Sequence, residues 1–347
     1  AFFSMMKTRT GAIRFLMMTG VSKFTKMSVF SCLNNIVDIS MDEEYATMLG
    51  YTEEELEANF EEHLREHAVK MGKTYEDYRA EMKRWYNGFR FSVDCETTVY
   101  NPISIALTLA KKRKEFSATW SSTGRPSSLM NYLKRSEMLA IDPDKTQFVS
   151  EQEFDVTNLA DLKPIGMLFQ TGYLTIKDFD KRFKIYTLGF PNDEVRYGFL
   201  NFLVPYYTPI TDDKKNFYIG KFIQELEKGD IDSFMQRFES FFADFPYELN
   251  DKTERHYQVI VYLIFKLMGQ FTQAEVHSAK GRADAIVQTP NYVYIFEFKL
   301  TGTAEDALQQ INDKGYAEPF RSDHRQVLKV GVEFSSETRN VKRWLVE

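Results

Sequence analysis

Cysteine is nearly absent: Cys32 and Cys95 are the only two in 347 residues. That excludes a disulfide framework and points to a reducing compartment, the cytoplasm. Long apolar runs are missing as well. No stretch reaches the length needed to span a bilayer, and no charged-then-apolar leader ends in a small-residue cleavage site, so no membrane partner is expected. The chain also lacks a surplus of basic charge. Its formal net charge is −6, which argues against a broadly basic nucleic-acid binder. Finally, no G-x-x-x-x-G-K-[ST] stretch occurs anywhere. Without that cradle of backbone N–H groups the chain has no evident grip on ATP phosphates, and ATP hydrolysis is not expected of it.

What is present is ordinary for a globular protein in its apolar and charged fractions, with length enough for two or three domains. The charge is unevenly spread. Segment 41–70 holds ten acidic residues against Arg65 and Lys70, whereas segment 251–347 is neutral. An acidic helix early in the chain therefore does not exclude phosphate binding late in it.

The most informative stretch is Gly281–Leu300, GRADAIVQTPNYVYIFEFKL. It reads as two strands joined by a turn. The second strand, from Tyr292, is almost continuously apolar and rich in β-branched and aromatic residues, as a buried central strand is. Side chains alternate, so Val293, Ile295, Glu297 and Lys299 share one face and Tyr294, Phe296 and Phe298 the other. Burying an unpaired charge costs several kcal/mol, so Glu297 and Lys299 need partners or a task. If the turn is Thr289–Tyr292, Gln288 pairs with Val293 and Asp284 falls opposite Glu297. Two carboxylates and a lysine then converge. Oxygen ligands of this kind suit Mg²⁺, with a lysine beside them to steady a phosphate or an attacking water. A structural Glu297–Lys299 ion pair with Asp284 at the surface is the alternative reading.

Asp284 followed across a hairpin by Glu297-x-Lys299 resembles the PD-(D/E)XK nuclease superfamily. The surrounding wording, QAEVHSAKGRADAIVQTPNYVYIFEFKL and then ALQQINDKGYAEPF, is similar to the nuclease-like C-terminal domain of a group of bacterial AAA-ATPase-like proteins. The resemblance implies that Asp284 and Glu297 bind Mg²⁺ or Mn²⁺, that Lys299 assists the nucleophile, and that the substrate is nucleic acid, DNA in the first instance. It extends a metal role to Glu254 on an upstream helix and a substrate-side role to Gln310. Glu254 equally closes a capping box with Asp251 at the start of that helix. The rival function is a non-catalytic regulatory or interaction protein with a degenerate nuclease fold.

Elsewhere the sequence is less specific. Ile13–Gly20 reads as a buried strand ending at a turn and resembles the end of the ATPase core in the same group, with Thr19 and Lys23 nearby. The chain begins in mid-pattern at Ala1, and the resemblance implies that a phosphate loop, and with it ATP, belongs to a longer parent protein. Thr52-Glu-Glu-Glu55 is a helix start, with helices continuing to Tyr86 and breaking near Gly72. Within them His63-Leu-Arg-Glu-His67 matches a zinc-binding spacing, but the helix is densely charged and no third ligand follows, so a solvated face is expected. Trp85 and Tyr86 are core anchors, Asn87-Gly88 is a turn, and Tyr100-Asn-Pro102 opens a helix; both stretches match signatures of the same group. Lys111–Lys114 is a basic run that either touches phosphates or solvates a helix end.

A helix and then a hairpin, Gly172–Ile176 with Phe183–Leu188, outline a winged-helix module serving as a packing or interaction element. Residues 217–242 carry an aromatic stripe at helical spacing, which signifies core. Thr272–His277 is a strand on which Glu275 and His277 alternate together. Thr303–Asp306 starts an amphipathic helix, and Val327–Phe334 reads as the last buried strand. The expected architecture is a multidomain α/β protein. Residues 1–40 form a remnant of an AAA-type ATPase core, 41–215 a helical and winged-helix-like region, and 216–347 a restriction-endonuclease-like α/β sandwich with leading helices.

Overall fold

The computed structural model describes residues 10–20, 37–110, 115–118, 147–150, 164–207, 212–243, 254–269, 276–277, 284–335, 337–338 and 340–347. They belong to two compact units, Ala1–Phe199 and Leu200–Glu347. The division falls upstream of the 215/216 boundary read from the sequence.

In the first unit the Thr52 side chain accepts the Glu55 N–H while the Glu55 carboxylate accepts the Thr52 N–H, the reciprocal box that starts helix α1 (Glu53–Lys70). Thr52→Ala is expected to lower the thermal stability of the chain by about 1 kcal/mol. The predicted break occurs where Gly72 takes φ +68°, and helix α2 (Tyr75–Tyr86) follows under a Thr74 cap. Trp85 and Tyr86 are buried as expected. At Gly88, φ is +108° and an added Cβ would overlap the Pro191 carbonyl oxygen, so only glycine fits this turn. Helix α3 (Pro102–Ala110) opens after Tyr100-Asn101. Strand β1 (Gln147–Ser150), helix α4 (Pro164–Gln170) and strands β2 (Thr175–Asp180) and β3 (Ile185–Gly189) complete the elements that lie wholly in this unit, and helix α5 (Asp193–Tyr207) runs across the division at Phe199/Leu200. The helix-then-hairpin reading corresponds to α4, β2 and β3; β1, not foreseen, adds a third antiparallel strand in the order β1-β3-β2.

Two expectations for this unit fail. Residues 13–20 form no strand, and Phe15 is 80% exposed. An apolar run becomes a buried strand only beside hydrogen-bonding neighbours, and the described residues offer it none. In the His63/His67 pair, His63 is exposed but His67 is buried, with its ring centroid 5.6 Å from that of Tyr78. The helix face is therefore solvated at one histidine and packed at the other. Lys111–Lys114, Lys23 and most of the segment around them lie outside the described residues.

The second unit is a five-stranded sheet covered on both faces. Helices α6 (Asp212–Glu227) and α7 (Ile231–Ala243) are separated by Gly229 at φ +81°, and α8 (Glu254–Met268) follows. Strands β4 (Val276–His277), β5 (Ala285–Gln288), β6 (Tyr292–Lys299), β7 (Gln326–Ser335) and β8 (Asn340–Val346) stand side by side in chain order. All neighbours are antiparallel except β6 and β7, which run parallel. Parallel neighbours need a crossover, here helix α9 (Ala304–Asp313), which starts with a second reciprocal box between Thr303 and Asp306. The alternation read from β6 holds. Phe296 packs between Phe265, at 5.0 Å, and Phe234, at 5.6 Å, on the α7/α8 side. Val293 and Ile295 pack against Ile311 of α9 on the other. The aromatic stripe of α6 and α7 is core, as its spacing implied. Val327–Phe334 is the last buried strand, but a further, mostly half-buried or exposed strand that the sequence did not suggest follows it. β8 pairs along β7, and its tryptophan Nε1 donates to Asp232 Oδ1 at 3.0 Å. No helix among the described residues is long and apolar enough to cross a membrane.

Candidate active site

The β5–β6 register sets the site. Gln288 lies opposite Val293 and Ala285 opposite Phe296, so continuing one residue places Asp284 opposite Glu297, as the turn length implied. The turn is locked by Thr289, whose Oγ1 accepts the Tyr292 N–H at 3.0 Å and whose own N–H donates to the Tyr292 carbonyl at 2.8 Å. Asp284 Oδ2 in turn accepts the Phe298 N–H at 2.8 Å. The hairpin thereby holds the aspartate at the C-terminal end of β6.

Glu297 is 3% exposed. Its Oε1 accepts from the Gln310 amide and lies 3.4 Å from Lys299 Nζ. Gln310 Oε1 in turn accepts from Lys299 Nζ. Glu297, Lys299 and Gln310 thus close a triangle between β6 and α9. The other oxygen, Oε2, is buried without a hydrogen-bond partner among the described residues. An orphan carboxylate oxygen in a core costs roughly 1–3 kcal/mol, and burial pushes the Glu297 carboxyl up to about 7, with Asp284 adding to the shift and Lys299 opposing it.

A divalent cation fits this donor set. Asp284 and Glu297 Oε2 are hard oxygens on the same end of a hairpin, and an ion there would give the orphan atom its partner. Among the described residues no group of three His, Cys, Asp or Glu side chains is arranged to hold a metal. Among the described residues the carboxylates brought to this point are Asp284 and Glu297, a pair that suits an ion that keeps several waters.

Of the residues singled out from the sequence, Asp284, Glu297, Lys299 and Gln310 come together. Glu254 is the first residue of α8, but its side chain lies outside the described residues, as do those of Glu275 and His277. Sequence reading missed Glu333, which faces Lys299 across the parallel β6–β7 register and is 8% exposed. The only signal was a carboxylate in the mostly apolar half of the strand after Lys329.

Residues 252–344 match the PD-(D/E)XK nuclease superfamily. Over 355 aligned residues the chain is 32% identical to an uncharacterized protein in the vnfD 5′ region of Azotobacter chroococcum mcd 1. That alignment covers 99% of this chain and 65% of the relative, so the chain spans just under two thirds of the relative's length. No solved structure matches the chain. The register of Asp284 with Glu297, the Glu297-x-Lys299 spacing and the family match converge: the C-terminal part of this chain is a domain of the PD-(D/E)XK nuclease superfamily.

Proposed function

We propose that this domain hydrolyses phosphodiester bonds of nucleic acid, DNA in the first instance, with Mg²⁺ or Mn²⁺ held by Asp284 and Glu297. The observation that carries the reading is the orphan Oε2 of the buried Glu297 beside Asp284 and Lys299. The metal would supply a more acidic bound water and neutralise charge on the phosphate. Lys299 donates to a phosphate oxygen and orients the water that attacks phosphorus; as the new P–O bond forms that water gives its proton to solvent, and as the old P–O bond breaks the leaving sugar oxygen takes a proton from solvent water. Gln310 holds the ammonium of Lys299 and the carboxylate of Glu297 in one arrangement, so its role is to orient. Glu254 joins the ligand set if its side chain turns to the site. The setting proposed for the domain is a longer AAA-ATPase-like protein in which ATP is handled outside this chain, and it rests on the resemblance of the stretches around the hairpin and of residues 13–20, 85–89 and 100–102 to that group.

A second reading, an interaction protein with a degenerate nuclease fold, draws on one observation. Lys299 is already engaged by both Glu297 and Gln310, as it would be in a purely structural network. Cleavage assays on single- and double-stranded DNA with Mn²⁺ separate the two. Wild-type cutting that falls by roughly 100- to 1,000-fold in Lys299→Ala, and is lost in Asp284→Asn, supports the enzyme. Cutting that survives both substitutions would place the chemistry elsewhere.

A further inference from the structure

We propose that Gly331 and Glu333 on β7 are positioning residues, which dock α9 against the sheet closely enough for Gln310 to reach Glu297 and Lys299. Gly331 is the β7 residue that pairs with Glu297, and Glu333 the one that pairs with Lys299. Paired residues on neighbouring strands point to the same face, here the face covered by α9. A Cβ on Gly331 would overlap the Ala304 carbonyl oxygen and lie 2.9 Å from Leu308 Cγ and 3.0 Å from the Leu308 amide nitrogen. Both residues are on α9, so the helix backbone rests on the strand where a side chain would otherwise stand.

Glu333 fixes the same helix at its start. Its carboxylate is held below the usual carboxylate range chiefly by Lys342, whose Nζ donates to Oε1 at 2.5 Å, with the backbone of Ala304, the first residue of α9, and Arg343 adding to it. Arg343 of β8 also reaches the next residue, with Nη2 2.8 Å from Glu305 Oε1. Close approach at Gly331 and the charged groups of Glu333 and Arg343 at the helix start therefore set both the height of α9 and its position along β7. Gln310 lies two turns further along the helix, and its amide spans from Lys299 to Glu297. A two-atom bridge of that kind tolerates little displacement, because hydrogen bonds weaken steeply with distance and angle.

The alternative is that Gly331 and Glu333 serve general packing. The two roles separate in the metal-free protein, whether or not the site cuts nucleic acid. The side-chain amide of Gln310 is followed by NMR, assigned by its disappearance in Gln310→Ala. In the wild type it is expected to exchange slowly and to resonate away from exposed glutamine amides. In Gly331→Ala it is expected to move to the exposed position while the rest of the spectrum stays folded. Mn²⁺ affinity should fall by roughly 10-fold in Gly331→Ala and in Gln310→Ala, and no further in the double variant, since both remove one bridge. Glu333→Gln, which loosens the start of α9 without adding volume, gives the same readout should Gly331→Ala not fold. An unshifted Gln310 amide in either folded variant, or additive losses in the double variant, would overturn the proposal.

Discussion

Glu297→Gln is expected to abolish metal-dependent cleavage while leaving the metal-free protein at least as stable as the wild type above pH 7. The carboxyl is buried and pushed from 4.5 up to about 7, foremost by burial and next by Asp284. Its folded value lies above its unfolded one, so the folded protein binds the extra proton between those limits. Stability is accordingly unpenalised below about pH 4.5 and declines as pH rises toward 7. The full penalty, by linkage, is roughly 3 kcal/mol. Glutamine keeps the shape and the Oε1 acceptor for Gln310 but carries no charge to desolvate, so it escapes most of that penalty and offsets part of what Lys299 loses. Mn²⁺ affinity should fall by more than the roughly 10- to 100-fold typical of losing an outer partner of a metal site. Denaturant melts of wild type and variant at pH 5 and pH 8 check the stability arm; the gap between them should open only at the higher pH. The same protonation gives wild-type Mn²⁺ affinity a pH profile, rising by about fivefold from pH 6 to pH 7 and by less than about twofold beyond.

Phe296→Ala is expected to cost about 3–5 kcal/mol, the largest loss of stability from one substitution in this unit. The ring is fully buried on the central strand. It sits 5.0 Å from Phe265, 5.6 Å from Phe234, and stacks along the strand with Phe298 at 6.0 Å. Those neighbours come from α7, α8 and β6, so a cavity there cannot be closed by one side chain turning inward. Aromatic contacts add roughly 0.5–1.5 kcal/mol per pair beyond the area they bury. Because β6 also carries Glu297 and Lys299, Phe296→Ala should weaken metal binding only through unfolding. At low temperature, where the variant is folded, its Mn²⁺ affinity should match that of the wild type; urea melts and calorimetry on one sample test both statements.

The hairpin was legible in the sequence because its signals were local. Thr289–Tyr292 fixed the turn, alternation fixed the faces, and the register of Asp284 with Glu297 followed by counting. The caps at Thr52 and Thr303 were legible for the same reason. Features that depend on distant partners were not. β8 is written Asn-Val-Lys-Arg-Trp-Leu-Val, with Lys342 and Arg343 engaged by Glu333 and Glu305, and without β7 beside it nothing marks it as a strand. Ile13–Gly20 erred in the opposite direction, since apolar composition suggested a strand that no described neighbour pairs with. His67 looked like one of many polar positions on a charged helix, and only α2 packing against α1 buries it. Gly331 shows the limit most plainly. In sequence it is a weak point in a strand, and its use emerges only when the Ala304 carbonyl is found where a Cβ would be.

The most direct test of the two-carboxylate metal site is calorimetric titration of Mn²⁺ into the metal-free chain at pH 7.5, beside Asp284→Asn and Glu297→Gln. The expected result is binding in the wild type, accompanied by proton release and lost in both variants. Absence of heat at millimolar Mn²⁺, or binding that persists unchanged in both variants, would contradict it and leave Glu297, Lys299 and Gln310 as a structural network.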